Sequence, residues 1–379
     1  MLTILSRRDL LAAGLAGGFA LSPLGALAQV AKIEPKVFVK NARRYVTDML
    51  GRTVEIPAKV NRIVCTGTGA PRIACYLNAL DKMVGIESSD QVYEHDPKRD
   101  YAFAYYARFK KMPQIGKGGG NAFTANPEAV LSLEPDVILT GYAPEAVKQL
   151  ERETGLPVIS VYYRSLGLVN DTFLQSIRMT GEVLGLQERA GAIESFVAAA
   201  IADLKKRVAG VDTGKSPTVY TGAVTFFGGH GFSGTYNRFG PLSVLNARSI
   251  SDRPGKEGFY EADLEFVLHA VPQVIFLDPS NLPIVRQEVK TRRGYFESLS
   301  AVCENRVYTM PSYNQYSTNV SYSLANAYYA GTILFPDRFA DVDFPAKFDE
   351  IVSFFNGRGW YDKMAHYGQG YGTINLLEG

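Results

Sequence analysis

Apolar residues in this chain gather in short continuous runs, and two stretches carry the same order of capping, acidic, apolar and proline positions. The first runs from Asn126 to Leu139 and the second from Asp263 to Phe276. Each opens on a capping residue and reaches Glu128 or Glu265, then a Val-Leu pair, a proline seven residues after the glutamate, and a Val-Ile run. The spacing is constant, since 265 − 128 and 272 − 135 both give 137. The pattern predicts a short helix, a break and a buried parallel strand. Pro127 suits a first helical turn, and the two glutamates suit the positive end of a helix dipole. Pro135 and Pro272 cannot continue a helix. Val137-Ile138-Leu139 and Val274-Ile275-Phe276 are apolar without alternation, as in strands covered on both faces. A unit recurring at this distance is too widely spaced for a solenoid and predicts two similar α/β lobes.

Other runs extend the pattern. Val46, Met49, Val54 and Ile56 around Gly51-Arg52 predict a hairpin, and Arg62 to Cys65, Val158 to Val161, Thr218 to Tyr220 and Arg306 to Met310 predict further strands. Pro241 to Asn246 reads as a short helix, and another ends near Leu334. Between the lobes the period changes to that of helices. Asn170 or Asp171 caps a first helix to about Leu184, and a second runs from Gln187 to about Ala209 with Ile193, Val197, Ala200, Ile201, Leu204 and Val208 on one face. At 1.5 Å per residue the second helix spans roughly 30 Å, about one domain's width, and reads as a strut. The expected division is a lobe over 29–169, a helical linker over 170–213 and a lobe over 214–379. The glycine-rich stretch from Phe226 to Arg238 is too rich in glycine for a core element, and Trp360 and the Tyr/Gly-rich tail carry no clear signal.

The first 28 residues read as an address. Arg7-Arg8 within Ser6 to Leu11 is a twin-arginine pattern, Leu10 to Ala28 is uncharged, and Ala26-Leu27-Ala28 offers a cleavage site before Gln29. A membrane anchor is the other reading of that apolar stretch, which Pro23 interrupts. The remainder suits two domains in the periplasm. A net charge of +2 argues against a nucleic-acid partner. Cys65, Cys75 and Cys303 lack metal-binding spacing, which leaves buried thiols or one disulfide. The 22 tyrosines beside 21 phenylalanines suggest aromatic surfaces with polar tips, which suit binding clefts. Thr66-Gly67-Thr68-Gly69 followed by Arg72 is a strand–loop–helix order that places N–H groups where an anion can sit, and it serves equally as a plain turn. Gly210 to Ser216 is one residue short of a phosphate-binding loop and lacks its strand-to-helix setting.

These residues resemble the periplasmic substrate-binding proteins of iron-chelate, cobalamin and haem ABC importers. The resemblance rests on Val46 to Arg52 leading to Arg62-Ile63-Val64, on both Glu…Pro…Val-Ile units, and on Glu188-Arg189-Ala190 of the long helix. It also rests on Tyr313 to Asn319 with Ala325 to Tyr329. It implies an α/β fold of two lobes with central, mainly parallel sheets joined by one long rigid helix, and a ligand cleft between the lobes. It implies that Glu128 and Glu265 dock onto an ABC permease dimer in the inner membrane, where the residues alone read as helix-end charges. It implies a monomer with no intrinsic cofactor that carries a ferric chelate of siderophore type. Ferric iron prefers oxygen donors and its chelates are often anionic, so arginine and tyrosine suit the cleft. The candidates are Arg72, Arg164 and Arg238 with Tyr142, Tyr162, Tyr236, Tyr313 and Tyr316. His230 is a candidate axial haem ligand, and the scatter of the four histidines weakens a direct zinc or manganese site. Haem, a corrinoid or an oxyanion such as molybdate are the alternative ligands. A periplasmic enzyme is the remaining class, against which stands the lack of Gly-x-Ser-x-Gly, His-Glu-x-x-His and Cys-x-x-Cys-His motifs.

Overall fold

The computed structural model describes residues 33–120, 122–163 and 167–378, so the twin-arginine segment, its cleavage site and Arg164 lie outside the described residues. Two parallel sheets form the centres of two α/β lobes. In the first lobe β4 (Ile63–Thr66), β5 (Met83–Ile86), β6 (Val137–Thr140) and β7 (Val158–Ser160) run in the order β5-β4-β6-β7. All pairs are parallel, with Val64 opposite Ile138 and Leu139 opposite Ile159. In the second lobe β8 (Thr218–Gly222), β10 (Arg248–Ser249), β12 (Val274–Leu277), β13 (Val307–Thr309) and β14 (Gly372–Thr373) follow the order β10-β8-β12-β13-β14. Only the last pairing in that sheet is antiparallel. β4, β6 and β12 are buried along their whole length, as their unbroken apolar runs require.

The repeated unit is a structural repeat. Helices Pro127–Ser132 and Leu264–His269, and strands β6 and β12, begin and end at the same 137-residue offset. Each helix is capped by the residue before it. The Asn126 side chain accepts from the Ala129 N–H at 3.1 Å, and the Asp263 side chain from the Glu265 N–H at 2.9 Å. The residue after each proline ties its unit to the neighbouring strand. Asp136 Oδ2 accepts from the N–H of Arg62 at 2.9 Å, and Gln273 Oε1 from that of Thr218 at 3.1 Å.

Between the lobes run helices Asp171–Leu184 and Gln187–Arg207. The Asn170 side chain caps the first by accepting from the Phe173 N–H at 3.0 Å, and left-handed Gly185 ends it. The long helix buries Ala190, Ile193, Val197, Ala200 and Leu204, a stripe at helical spacing, against Asp171–Leu184 and helix Val320–Leu334.

Three regions differ from the sequence expectation. The predicted hairpin, β2 (Arg43–Thr47) with β3 (Thr53–Ile56), gains a third antiparallel strand, β1 (Lys36–Lys40). β1 is half-exposed, and its apolar run, Val37-Phe38-Val39, is only three residues long between two lysines. The glycine-rich stretch holds a buried strand, β9 (Gly234–Tyr236), paired antiparallel with β11 (Phe259–Glu261). Gly234 stands where an added Cβ would lie 2.5 Å from His230, so glycine here serves close packing. The tail forms helices Phe344–Asn356 and Tyr361–His366 before β14 closes the second sheet. All three cysteines are free thiols, with Cys65 and Cys75 buried.

Candidate functional site

The loops leaving the carboxyl ends of the parallel strands meet between the lobes, where open α/β sheets bind ligands. In the first lobe they are organised by Glu87, the residue after β5. Its Oε2 accepts from the Gly67 N–H at 3.0 Å, in the loop after β4. Its Oε1 accepts from the hydroxyls of Thr124, at 3.1 Å, and Tyr142, in the loop after β6. Burial pushes the Glu87 carboxyl up, opposed by these three donors, which favour the carboxylate. Gly67 and Gly69 are left-handed on either side of Thr68. Gly141 lies so close to this loop that a Cβ would fall 1.9 Å from the Thr68 oxygen.

Arg72 is fully buried and faces the other lobe. Its Nε donates to Asp100 Oδ1 at 2.8 Å. The rest of its guanidinium donates to the Tyr163 hydroxyl at 3.1 Å, the main-chain oxygens of Tyr316 at 2.7 Å and Gln315 at 2.9 Å, and the Asn319 side-chain oxygen. Tyr163 completes the junction, its hydroxyl donating to the Thr318 oxygen at 3.2 Å and its own oxygen accepting from Ser317 Oγ at 3.3 Å. The Tyr316 ring lies 3.4 Å from the Arg99 guanidinium, which has Tyr93 at 4.3 Å and pairs with Asp90 at 2.6 Å. The Tyr316 hydroxyl is 3.2 Å from Ser89 Oγ.

On the second lobe Tyr236 and Arg238 share an open cleft of about 940 Å³ with Gly167, Arg253 and Lys256. Arg238 is exposed, and its positive charge favours the carboxylate of Asp252, which also lines this cleft. The Arg238 backbone is left-handed, with its N–H donating to Asp252 Oδ1 at 2.6 Å. Tyr236 is buried, its hydroxyl finds no hydrogen-bond partner among the described residues, and burial pushes that hydroxyl up. Tyr313 is buried too, and its hydroxyl accepts from the Gly240 N–H at 3.3 Å. Next to Tyr236, Phe226 stacks on Phe259 with centroids 5.0 Å apart. His230 closes that loop at its base. Its Nδ1 lies 2.9 Å from Glu261 Oε1 and its Nε2 2.8 Å from the Phe226 oxygen.

The structure therefore brings Tyr236 and Arg238 together on one wall, Tyr142 onto Glu87, and Arg72 onto the segment that carries Tyr313 and Tyr316. Tyr162 is half-buried beside Tyr163. Glu128 and Glu265 are exposed, each in the first turn of its helix. Glu87, Arg99, Asp100 and Asn319 escaped the sequence reading. The one available signal was for Glu87, an acid placed directly after a buried strand.

Residues 63–314 match the periplasmic binding protein family. The molybdate-binding protein MolA of Haemophilus influenzae is 28% identical over 330 residues, covering 80% of this chain and 88% of that protein. Among solved structures, MolA of Haemophilus influenzae bound to molybdate aligns with a TM-score of 0.63 and 23% identity, over 84% of this chain and 99% of that one. The TroA-like periplasmic binding protein FepB of Veillonella parvula aligns with a TM-score of 0.60 and 23% identity, over 83% and 97%. These two structural likenesses bear on the fold.

Proposed function

The chain belongs to the periplasmic binding protein family, and on that premise we propose that it delivers an oxyanion of the molybdate class to an ABC importer. Its relatives are substrate-binding proteins rather than enzymes, and such proteins work in the periplasm with a membrane permease. The observation that carries an anionic cargo is Arg238, an exposed guanidinium on the cleft wall of the second lobe, with Arg253 and Lys256 lining the same cleft. Arginine is suited to oxygen-rich anions because its fork donates two parallel hydrogen bonds. One further point supports the reading. MolA, which is named for molybdate, is similar over most of both chains.

A second reading, a ferric chelate of siderophore type, is favoured by the size of the cleft. About 940 Å³ is room for a whole organic chelate, and Tyr236 lines it with an aromatic ring. In both readings the metal is cargo, and the protein carries no cofactor of its own. The protein acts as a monomer, reaches the periplasm by the twin-arginine route with cleavage after Ala28, and docks on the permease dimer through Glu128 and Glu265.

The test is a calorimetric titration of the mature protein, stripped of cargo by unfolding and refolding. The ligands are sodium molybdate, sodium tungstate, sodium sulfate, a panel of ferric siderophores, haemin and cobalamin. Saturable binding of molybdate and tungstate is expected. Binding of a ferric chelate without molybdate would transfer the assignment to the second reading, and binding of haemin or cobalamin alone would end both.

A further inference from the structure

The segment Tyr313 to Asn319 connects β13 to helix Val320–Leu334 and belongs to the second lobe by sequence. Tyr313 bonds within that lobe, to Gly240, but Gln315, Tyr316, Thr318 and Asn319 are held by the first. Arg72 donates to two of its main-chain oxygens and to the Asn319 side chain, and Tyr163 donates to a third main-chain oxygen, that of Thr318. Asn319 Nδ2 in turn donates to the Lys98 oxygen at 2.8 Å. Tyr316 is held on three sides: its ring by Arg99, its hydroxyl by Ser89 and its carbonyl by Arg72. The backbone is strained to make this fit. Tyr316 and Ser317 are consecutive left-handed residues, with φ of 58° and 70°, and neither is glycine. Such geometry persists only where the surroundings over-determine it, and it gathers at ligand clamps.

Arg72 is the member whose removal undoes most of this. It is the buried cation common to the segment and to Asp100, whose carboxylate also accepts from Ser321 Oγ at 2.8 Å and from the Tyr76 hydroxyl. Its contacts with the two main-chain oxygens use the planar fork, which a lysine ammonium cannot reproduce.

We propose that Arg72 is a positioning residue for cargo capture: it locks the Tyr313–Asn319 segment of the second lobe onto the first and so fixes the spacing of the lobes before cargo arrives. The inference rests on a cleft between the lobes, whichever anion or chelate fills it. The lock is separate from the long helix, none of whose residues takes part in these contacts.

Spin labels at Arg152→Cys and Lys290→Cys, exposed sites on helices of the two lobes, report the interlobe distance in a Cys303→Ser background. Without cargo, the parent protein is expected to give one narrow distribution that 1 mM molybdate leaves in place. Arg72→Lys keeps a cation beside Asp100, and is expected to fold and to broaden that distribution. If it lowers the capture-ready fraction to about a tenth, affinity falls about tenfold. Ser317→Gly relieves strain without touching Arg72, and is expected to keep the narrow distribution. Two outcomes overturn the proposal: two populations in the parent protein without cargo, or a folded Arg72→Lys variant as narrow as the parent. Failure of molybdate to bind bears on the cargo alone, because the cargo-free distributions decide the role of Arg72.

Discussion

Glu134 and Val271 occupy the same point of the two repeated units, and both hold a left-handed backbone, with φ of 47° and 46°. Each follows its short helix and directly precedes the proline that ends it. Helices commonly close on a left-handed residue, but glycine or asparagine normally supplies it. A β-branched valine does so at a steric cost.

The strain at Val271 is removable. The side chain is 54% exposed, so its loss sacrifices little packing. Its N–H donates to the Leu268 oxygen at 3.2 Å and its oxygen accepts from Thr218 Oγ1 at 3.0 Å, and both contacts survive substitution. Left-handed strain of about 1–2 kcal/mol, less a glycine entropy cost of about 0.5–1 kcal/mol, gives a net gain of about 0.5–1 kcal/mol for Val271→Gly. The urea midpoint should rise with an unchanged slope, while Val271→Ala should not raise it.

Arg207, near the end of the long helix, holds Asp341 through two contacts, 2.6 and 2.9 Å, and Asp203 at 2.8 Å. The hydrogen bonds from Arg207 lower Asp341 from 3.8 to about 2. A carboxyl lowered in the folded state adds stability above its unfolded value and loses it as pH falls through its folded value. The difference in melting temperature between the protein and its Asp341→Asn variant should therefore be constant above about pH 5 and close between about pH 4 and pH 2. A difference as large at pH 2 as at pH 6 would assign the effect to something other than this carboxylate.

Glu87 accepts from three loops at once. Glu87→Ala leaves the Gly67 N–H and the Thr124 and Tyr142 hydroxyls without their acceptor, and should cost about 3 kcal/mol in urea unfolding. Glu87→Gln keeps an oxygen for the Gly67 N–H and offers an amide to two hydroxyls that can accept. It should recover most of the stability. Cargo affinity, measured by calorimetry, should follow the same order.

Glu128 and Glu265 are exposed, one on each lobe. Loss of one interface charge typically costs about one kcal/mol, and loss of both more. Glu128→Ala with Glu265→Ala should fold, bind cargo as the parent does and fail in uptake assays at limiting cargo. Parent-like uptake at matched protein levels would return both to helix-end charges.

Arg7→Lys with Arg8→Lys should leave uncleaved precursor in the cytoplasm, scored by fractionation and the size of the protein. Normal secretion of that variant would show that another export route is in use.

The repeated unit was legible because everything that shapes it lies within fourteen residues. A capping side chain, a proline and an apolar run each act on their neighbours, so the helix, the break and the strand appear where local chemistry puts them. Asn170 as a cap and the buried stripe of Gln187–Arg207 were legible for the same reason. β9 was not, because what makes this glycine-rich stretch a strand is its pairing with Phe259–Glu261, farther along the chain.

The site divides in the same way. The sequence by itself determined two lobes, the loops at their strand ends, and a supply of arginine and tyrosine in those loops. Only the tertiary structure decided which of these side chains face one another. Arg72 meets Asp100, Tyr163 and Asn319 at sequence separations of 28, 91 and 247 residues. Glu87 collects its donors from 20, 37 and 55 residues away. A buried charge or hydroxyl must find a partner wherever the folded chain supplies one, and that partner is chosen by the packing of whole sheets and helices. Arg72, in helix Ala70–Tyr76, and Arg238, in a loop, are thus alike as residues near strand ends, and differ in that burial against the other lobe gives the first its partners and leaves the second facing the cleft.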